Sequence, residues 1–97
     1  MGRVPWDGMP RAQRPDDDAV LFGAIVKLHR QKRGWTIADL CRKSGMNATW
    51  LGTLEQGGNM PSLSTIFKLG DALGVDGVEL VRQFDIARRE PDEDDEE

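Results

Sequence analysis

Residues 34–75 read GWTIADLCRKSGMNATWLGTLEQGGNMPSLSTIFKLGDALGV, and the punctuation inside this stretch decides the fold. Thr36 is followed three residues later by Asp39, with Trp35 and Leu40 on either side, which is the pattern of a capped helix start closed by a hydrophobic staple. Asn47 is a second cap, with Met46 and Leu51 as its staple. The linker between them, Ser44-Gly45-Met46, is too short for anything but a tight turn, and Gly45 can take the positive φ that such a corner demands. Pro61-Ser62 opens a third helix that carries Leu63, Ile66, Phe67, Leu69 and Leu73 and stops at Gly74. Helices are therefore predicted over 36–44, 47–55 and 62–73.

Outward from this stretch the helical grammar continues. Upstream, Asp16, Asp17 and Asp18 suit the positive end of a helix dipole and Lys32 and Arg33 its negative end, which predicts a helix over 18–33 closed by Gly34. Its core face is read from Leu21, Ile25 and Leu28 at i, i+4, i+7. Downstream, Asp76 with Glu79 forms a further cap, Val75 and Leu80 its staple, and the last helix runs from 76 to about 88. The expected architecture is all-α, a compact five-helix bundle containing a helix-turn-helix over residues 18–88. Ile37, Leu40, Cys41, Leu51 and Leu54 would supply the inner faces of the central helix pair. Residues 1–17, with Pro5, Pro10 and Pro15 and no periodicity, read as a flexible arm. Residues 89–97, which from Glu90 on form a like-charge acidic block, read as a disordered tail.

Composition narrows the function classes. Ninety-seven residues support one domain with a modest core, 38% hydrophobic and 31% charged. The net charge of −4 is unevenly spread: residues 19–84 hold eight Lys or Arg against five acids, whereas residues 85–97 hold two Arg against eight acids. The middle of the chain is mildly basic, so the overall acidity says little about its partners. One cysteine, Cys41, and one histidine, His29, allow neither an intrachain disulfide nor a multi-ligand metal site, and no cofactor is expected. The longest apolar run, 19–26, is too short to cross a bilayer, so no membrane is expected, and no secretory pattern opens the chain. A cytoplasmic protein is expected. No nucleophile triad or carboxylate pair can be assembled. Gly57-Gly58 lacks the Lys and following helix of a phosphate loop, so an enzyme is not expected.

From Phe22 to Phe84 the chain resembles the Cro and phage-repressor-like helix-turn-helix family, also called the xenobiotic-response-element family. The resemblance rests on the order of helix start, Gly turn, Leu54-Glu55-Gln56-Gly57, Pro61-Ser62-Leu63 and Asp71-Ala72-Leu73-Gly74-Val75. It implies a lambda-repressor-like DNA-binding domain and a dimeric transcriptional regulator, most often a repressor, on a palindromic operator in double-stranded DNA. By the same resemblance Ala48, Thr49 and Thr53 match base-reading positions, and Trp50 matches an aromatic position that touches the phosphate backbone. The helix start at Thr36 matches a site where backbone amides meet phosphate. Asn47, Gln56 and Asn59 are further polar contacts, and Arg30 and Glu55 match a structural ion pair. The chain departs from the family at three places. Ile37 stands where Gln or Ser is common, Gly57-Gly58-Asn59-Met60 lacks a cation, and the base-reading positions hold Ala and Thr instead of longer polar side chains. Thr lacks the bidentate fork worth about 1–3 kcal/mol of base discrimination. Specificity then requires two copies, DNA shape readout, or an arm in the adjacent minor groove.

Plainer readings stand beside these. Trp50 is also readable as a partly buried surface aromatic, Trp35 as a staple against Leu40, Cys41 as a small core residue, and His29 as a solvated side chain. Val78, Val81, Phe84 and Ile86 either form a homodimer seam, with or without the first helix, or close the core. The acidic tail is a solubiliser, a competitor with DNA for the basic face, or a contact for a protein partner. The alternative function is a protein-interaction or antitoxin-like module that keeps the fold and acts mainly through a partner.

Overall fold

The computed structural model describes residues 17–89, which form five helices: α1 (Asp17–Lys32), α2 (Ile37–Ser44), α3 (Ala48–Glu55), α4 (Leu63–Leu73) and α5 (Gly77–Arg89). The expected helix boundaries agree with these to within a residue or two. Apart from Asp17 and Arg89, which belong to α1 and α5, the expected arm and tail lie outside the described residues.

The local chemistry explains why the chain breaks where it does. Asp39 N–H donates to Thr36 Oγ1 at 3.1 Å and Thr36 N–H donates to Asp39 Oδ2 at 2.8 Å, a reciprocal cap on α2. Gly45 ends α2 at φ 75° and sends its N–H to Cys41 O. That left-handed conformation costs a side-chain-bearing residue roughly 1 kcal/mol or more, so the corner of the helix pair is a glycine. Asn47 Oδ1 then accepts from Trp50 N–H at 3.0 Å and starts α3. Ser62 Oγ accepts from Thr65 N–H at 3.2 Å and starts α4. The expected reciprocal cap at α5 does not form. Glu79 turns forward to Arg82 and Gln83, and α5 begins on the backbone bonds from Glu79 and Leu80 N–H to Asp76 O.

α1 packs against α3 and α5 and touches α4; α2 packs against α3 and α4, and α4 against α5. Phe22, Val26, Leu40, Leu51, Leu54, Ile66, Leu69, Leu73 and Leu80 fill the single core. Cys41 and Ile37 pack against it half-buried. The face read for α1 is displaced. Its buried side chains are Ala19, Phe22 and Val26 with Gly23, whereas Leu28 is 52% exposed. Two neighbours dictate this register. Phe22 meets Phe84 of α5 edge-on, with ring centroids 6.1 Å apart. Gly23 lets α1 lie on the end of α3, where a Cβ would run into Leu54 O. The apolar triplet at 21, 25 and 28 is therefore a flank, because the second apolar stripe beside it has the residue small enough for helix contact. Leu63 and Phe67 are also more exposed than expected, at 61% and 39%. His29 is not simply solvated: its Nε2 lies 2.8 Å from Gln83 Oε1, joining α1 to α5.

Candidate nucleic-acid interface

α3 is positioned from within. Leu51 and Leu54 are fully buried, which turns Ala48, Thr49, Thr53 and Gln56 outward, all of them exposed. Gly52 shares that face by helical spacing, and a Cβ added to it would meet nothing within 4 Å. Apart from Gln56 just past its C-terminus, the outer face of α3 is thus built of short side chains, and it carries no charge. Sequence reasoning did not single out Gly52; its signal was a helix-weakening residue in mid-helix with no turn to explain it.

Trp50 lies on the flank of α3, half-buried against the core. This agrees with the plain reading of Trp50 as a partly buried surface aromatic; an indole can bury its body while keeping a polar N–H. Asn47 has spent its carbonyl oxygen on the cap and keeps its amide N–H groups as donors. Trp35 packs on the core and is bracketed by cations, with the Arg33 guanidinium 5.2 Å and Lys43 Nζ 5.6 Å from its ring centroid. Arg33 Nε also donates to Leu73 O at 2.6 Å, which ties α1 to the end of α4.

The start of α2 differs from a bare anion site. The Asp39 carboxylate already accepts from Thr36 N–H, and that bond, aided by the Thr36 hydroxyl and Arg42, holds its pKa below the usual carboxylate range. Arg42 forms an ion pair with Asp39. Of the residues assigned there, Thr36 is committed to the cap, and the amides of Ile37 and Ala38 remain as first-turn donors without intrahelical acceptors. Asn59 is half-buried after α3, and its Oδ1 is buried without a hydrogen-bond partner. That oxygen is withdrawn from the surface on which it was expected to act.

Arg30 and Glu55 anchor the far side of α3. Arg30 Nε and Nη2 donate to Glu55 Oε2 and Oε1 at 2.7 and 2.8 Å, and Nη1 donates to Trp35 O at 2.7 Å. Their side chains are 11% and 6% exposed. The pairing with Glu55 pushes the Arg30 guanidinium pKa up against the opposing effect of burial. One guanidinium thus locks α1, the end of α3 and the lead-in to α2 in a single geometry. Among the described residues no group of three or more His, Cys, Asp or Glu is placed to hold a metal, and no helix is long and apolar enough to cross a membrane.

Comparison with known proteins agrees with this geometry. A family model described as a helix-turn-helix domain matches residues 21–83. An uncharacterised HTH-type transcriptional regulator of Sinorhizobium fredii, y4dJ, is 38% identical over 65 residues, 67% of this chain and 84% of that protein. An uncharacterised HTH-type regulator of Mycobacterium tuberculosis is 36% identical over 53 residues, 55% of this chain, and this chain spans only 21% of its length. Among solved structures, the restriction-modification controller protein C.AhdI from Aeromonas hydrophila superposes with a TM-score of 0.62 at 33% identity. That superposition covers 65% of this chain and 96% of the controller. The chain belongs to the helix-turn-helix domain family of transcriptional regulators.

Proposed function

We propose that the protein is a sequence-specific DNA-binding regulator, acting as a repressor, that binds a palindromic operator as a homodimer with α3 in the major groove. The observation that carries this is the construction of α3. Its inner side is fixed by Leu51, Leu54 and the Glu55–Arg30 pair, and its outer face of Ala48, Thr49, Gly52 and Thr53 is left uncovered. An α-helix about 10–12 Å across fits a major groove about 12 Å wide, and short side chains let its backbone come close to base edges. The roles of the relatives, transcriptional regulators and a restriction-modification controller, support the same reading. Thr49 and Thr53 are the base contacts on this view, Trp50 and the first-turn amides of α2 backbone contacts, and Arg30–Glu55 a structural pair.

The dimer rests on α5. Val78 is 67% and Ile86 40% exposed, and Val81 and Phe84 are half-buried, more apolar surface than a terminal helix needs to close its own core. Two copies joined there would present two α3 helices to successive major grooves about 34 Å apart.

The test is titration of the purified full chain against fragments of its own upstream DNA and against random duplex, over a salt series. Preferential binding that weakens with salt supports the regulator. Absence of DNA binding at every moderate salt, with capture of a stoichiometric protein partner, would replace it with the interaction-module reading that the uncharged face and Asp39 at the α2 start motivate.

A further inference from the structure

A shallow groove runs between the 44–47 turn and α4, and Asn47, Trp50, Thr65 and Lys68 line it. Among the described residues, the cations of α2, α4 and α5 other than Lys68 are all engaged. Arg42 pairs with Asp39, Lys43 lies over Trp35, Arg82 pairs with Glu79, and Arg88 and Arg89 pair with Asp85. Lys68 has no partner, although Asp71 stands three residues on along the same helix. The groove therefore holds a free ammonium together with the neutral donors of Asn47, Thr65 and the Trp50 indole, and no carboxylate lines it.

Its position selects the anion. Trp50 lies on the flank of α3, beside the outer face of Ala48, Thr49 and Thr53. A helix that nearly fills the major groove brings its flanks against the phosphate walls. The groove also borders the first turn of α3, the positive end of its dipole. We propose that Lys68 is a DNA-backbone contact, and that the groove it shares with Asn47 and Trp50 seats one phosphate of the strand flanking α3. This rests on the DNA-binding reading above. It supplies a cation that the loop after α3 lacks, and it comes from a helix outside the helix-turn-helix pair.

The test compares wild type, Lys68→Gln and Lys68→Arg as full chains, using the tightest-binding upstream fragment as probe across a salt series. Lys68 is exposed, so all three should share one thermal midpoint. Loss of one phosphate contact per protomer removes two from the dimeric complex and lowers the slope of log affinity against log salt by about 1.8, so the advantage of wild type over Lys68→Gln shrinks about 12-fold between roughly 50 and 200 mM salt. Lys68→Arg should keep the wild-type slope. If wild type binds with a salt dependence and Lys68→Gln shows the same slope and affinity, the phosphate contact is wrong while the DNA reading stands. If Lys68→Gln weakens binding with its slope unchanged, the groove acts on shape and not on a phosphate, which also overturns the proposal. A wild type that binds no DNA overturns the DNA reading itself, and the two failures are thereby told apart.

Discussion

The two sides of α3 are built by opposite rules. The side toward α1 carries a backbone-close crossing at Gly23 and a nearly buried, bidentate Arg30–Glu55 pair, with no slack in either. The outward side carries Ala48, Thr49, Gly52 and Thr53, short residues of which Ala48, Thr49 and Thr53 are exposed and Gly52 has open space where a Cβ would stand, the Thr53 methyl alone lying against Gly58. The helix is held by backbone-close packing and a nearly buried ion pair on one side, and on the other presents a face with little chemistry of its own. Positioning is thus separable from the recognition proposed for α3: the packed side decides where the helix sits, and the open side is left for contact.

The largest effects should fall on the fixed side. Glu55→Ala leaves the Arg30 guanidinium buried without its carboxylate, and removing one partner of a buried pair costs about 3–5 kcal/mol. Denaturant unfolding followed by helical signal would measure it. Replacing both partners with apolar residues of similar volume should recover most of that loss. If Glu55→Ala shifts stability by less than about 1 kcal/mol, the pair is solvated and the contrast between the two sides collapses. Gly23→Ala comes next. Its Cβ meets backbone, Leu54 O, which cannot rotate away, so α1 must lift from α3 at a cost of about 1–3 kcal/mol. The same substitution at the outward Gly52 meets no atom, so the pair of Gly→Ala variants tests the comparison directly.

Much of this was legible in the sequence, and the reasons are local. Thr36 with Asp39, Asn47, Ser62 and the glycines at 45 and 74 act within a few residues, so the boundaries of α2, α3 and α4 could be read without tertiary knowledge. The face of α1 could not. Two apolar stripes compete on that helix, and the choice between them is made by a contact with Leu54, thirty-one residues away, that only a glycine allows. His29 failed for a similar reason, because its partner Gln83 comes from another helix. On the candidate interface, helical spacing was a guide to the exposure of Thr49 and Thr53, whereas the side-chain oxygens of Thr36, Asn47 and Asn59 are drawn into the protein. Polar side chains near helix ends satisfy the backbone first, and two of those three cap helices. Gly52 and Lys68, which are proposed above to face DNA, went unnoticed because one has no side chain and the other sits on a helix outside the motif.

The open side should respond in binding and not in folding. Thr53→Ala removes one exposed hydroxyl and methyl, and is expected to narrow the gap between operator and random DNA by about 1 kcal/mol at unchanged thermal midpoint. Equal loss on both DNAs would make Thr53 a backbone contact. Lys43→Ala should leave that gap intact, because Lys43 is occupied with the Trp35 ring.

The smallest expected change is the most discriminating because two of its readouts move in opposite directions. Gly52→Ala adds a methyl in mid-helix where nothing lies within 4 Å, so it should stabilise the fold by about 0.5–1 kcal/mol through helix propensity alone. A protein under pressure only to fold gains from that methyl. A helix that must lay its backbone against base edges loses by it, since the methyl stands between Thr49 and Thr53 on the approaching face. The expected outcome is a higher thermal midpoint with weaker operator binding, read by melting and titration on the same preparation. A higher midpoint with unchanged binding would show that α3 does not come close to DNA at Gly52. An unchanged or lower midpoint would mean that the outward side is not open, and the contrast between the two sides of α3 would fail at its simplest point.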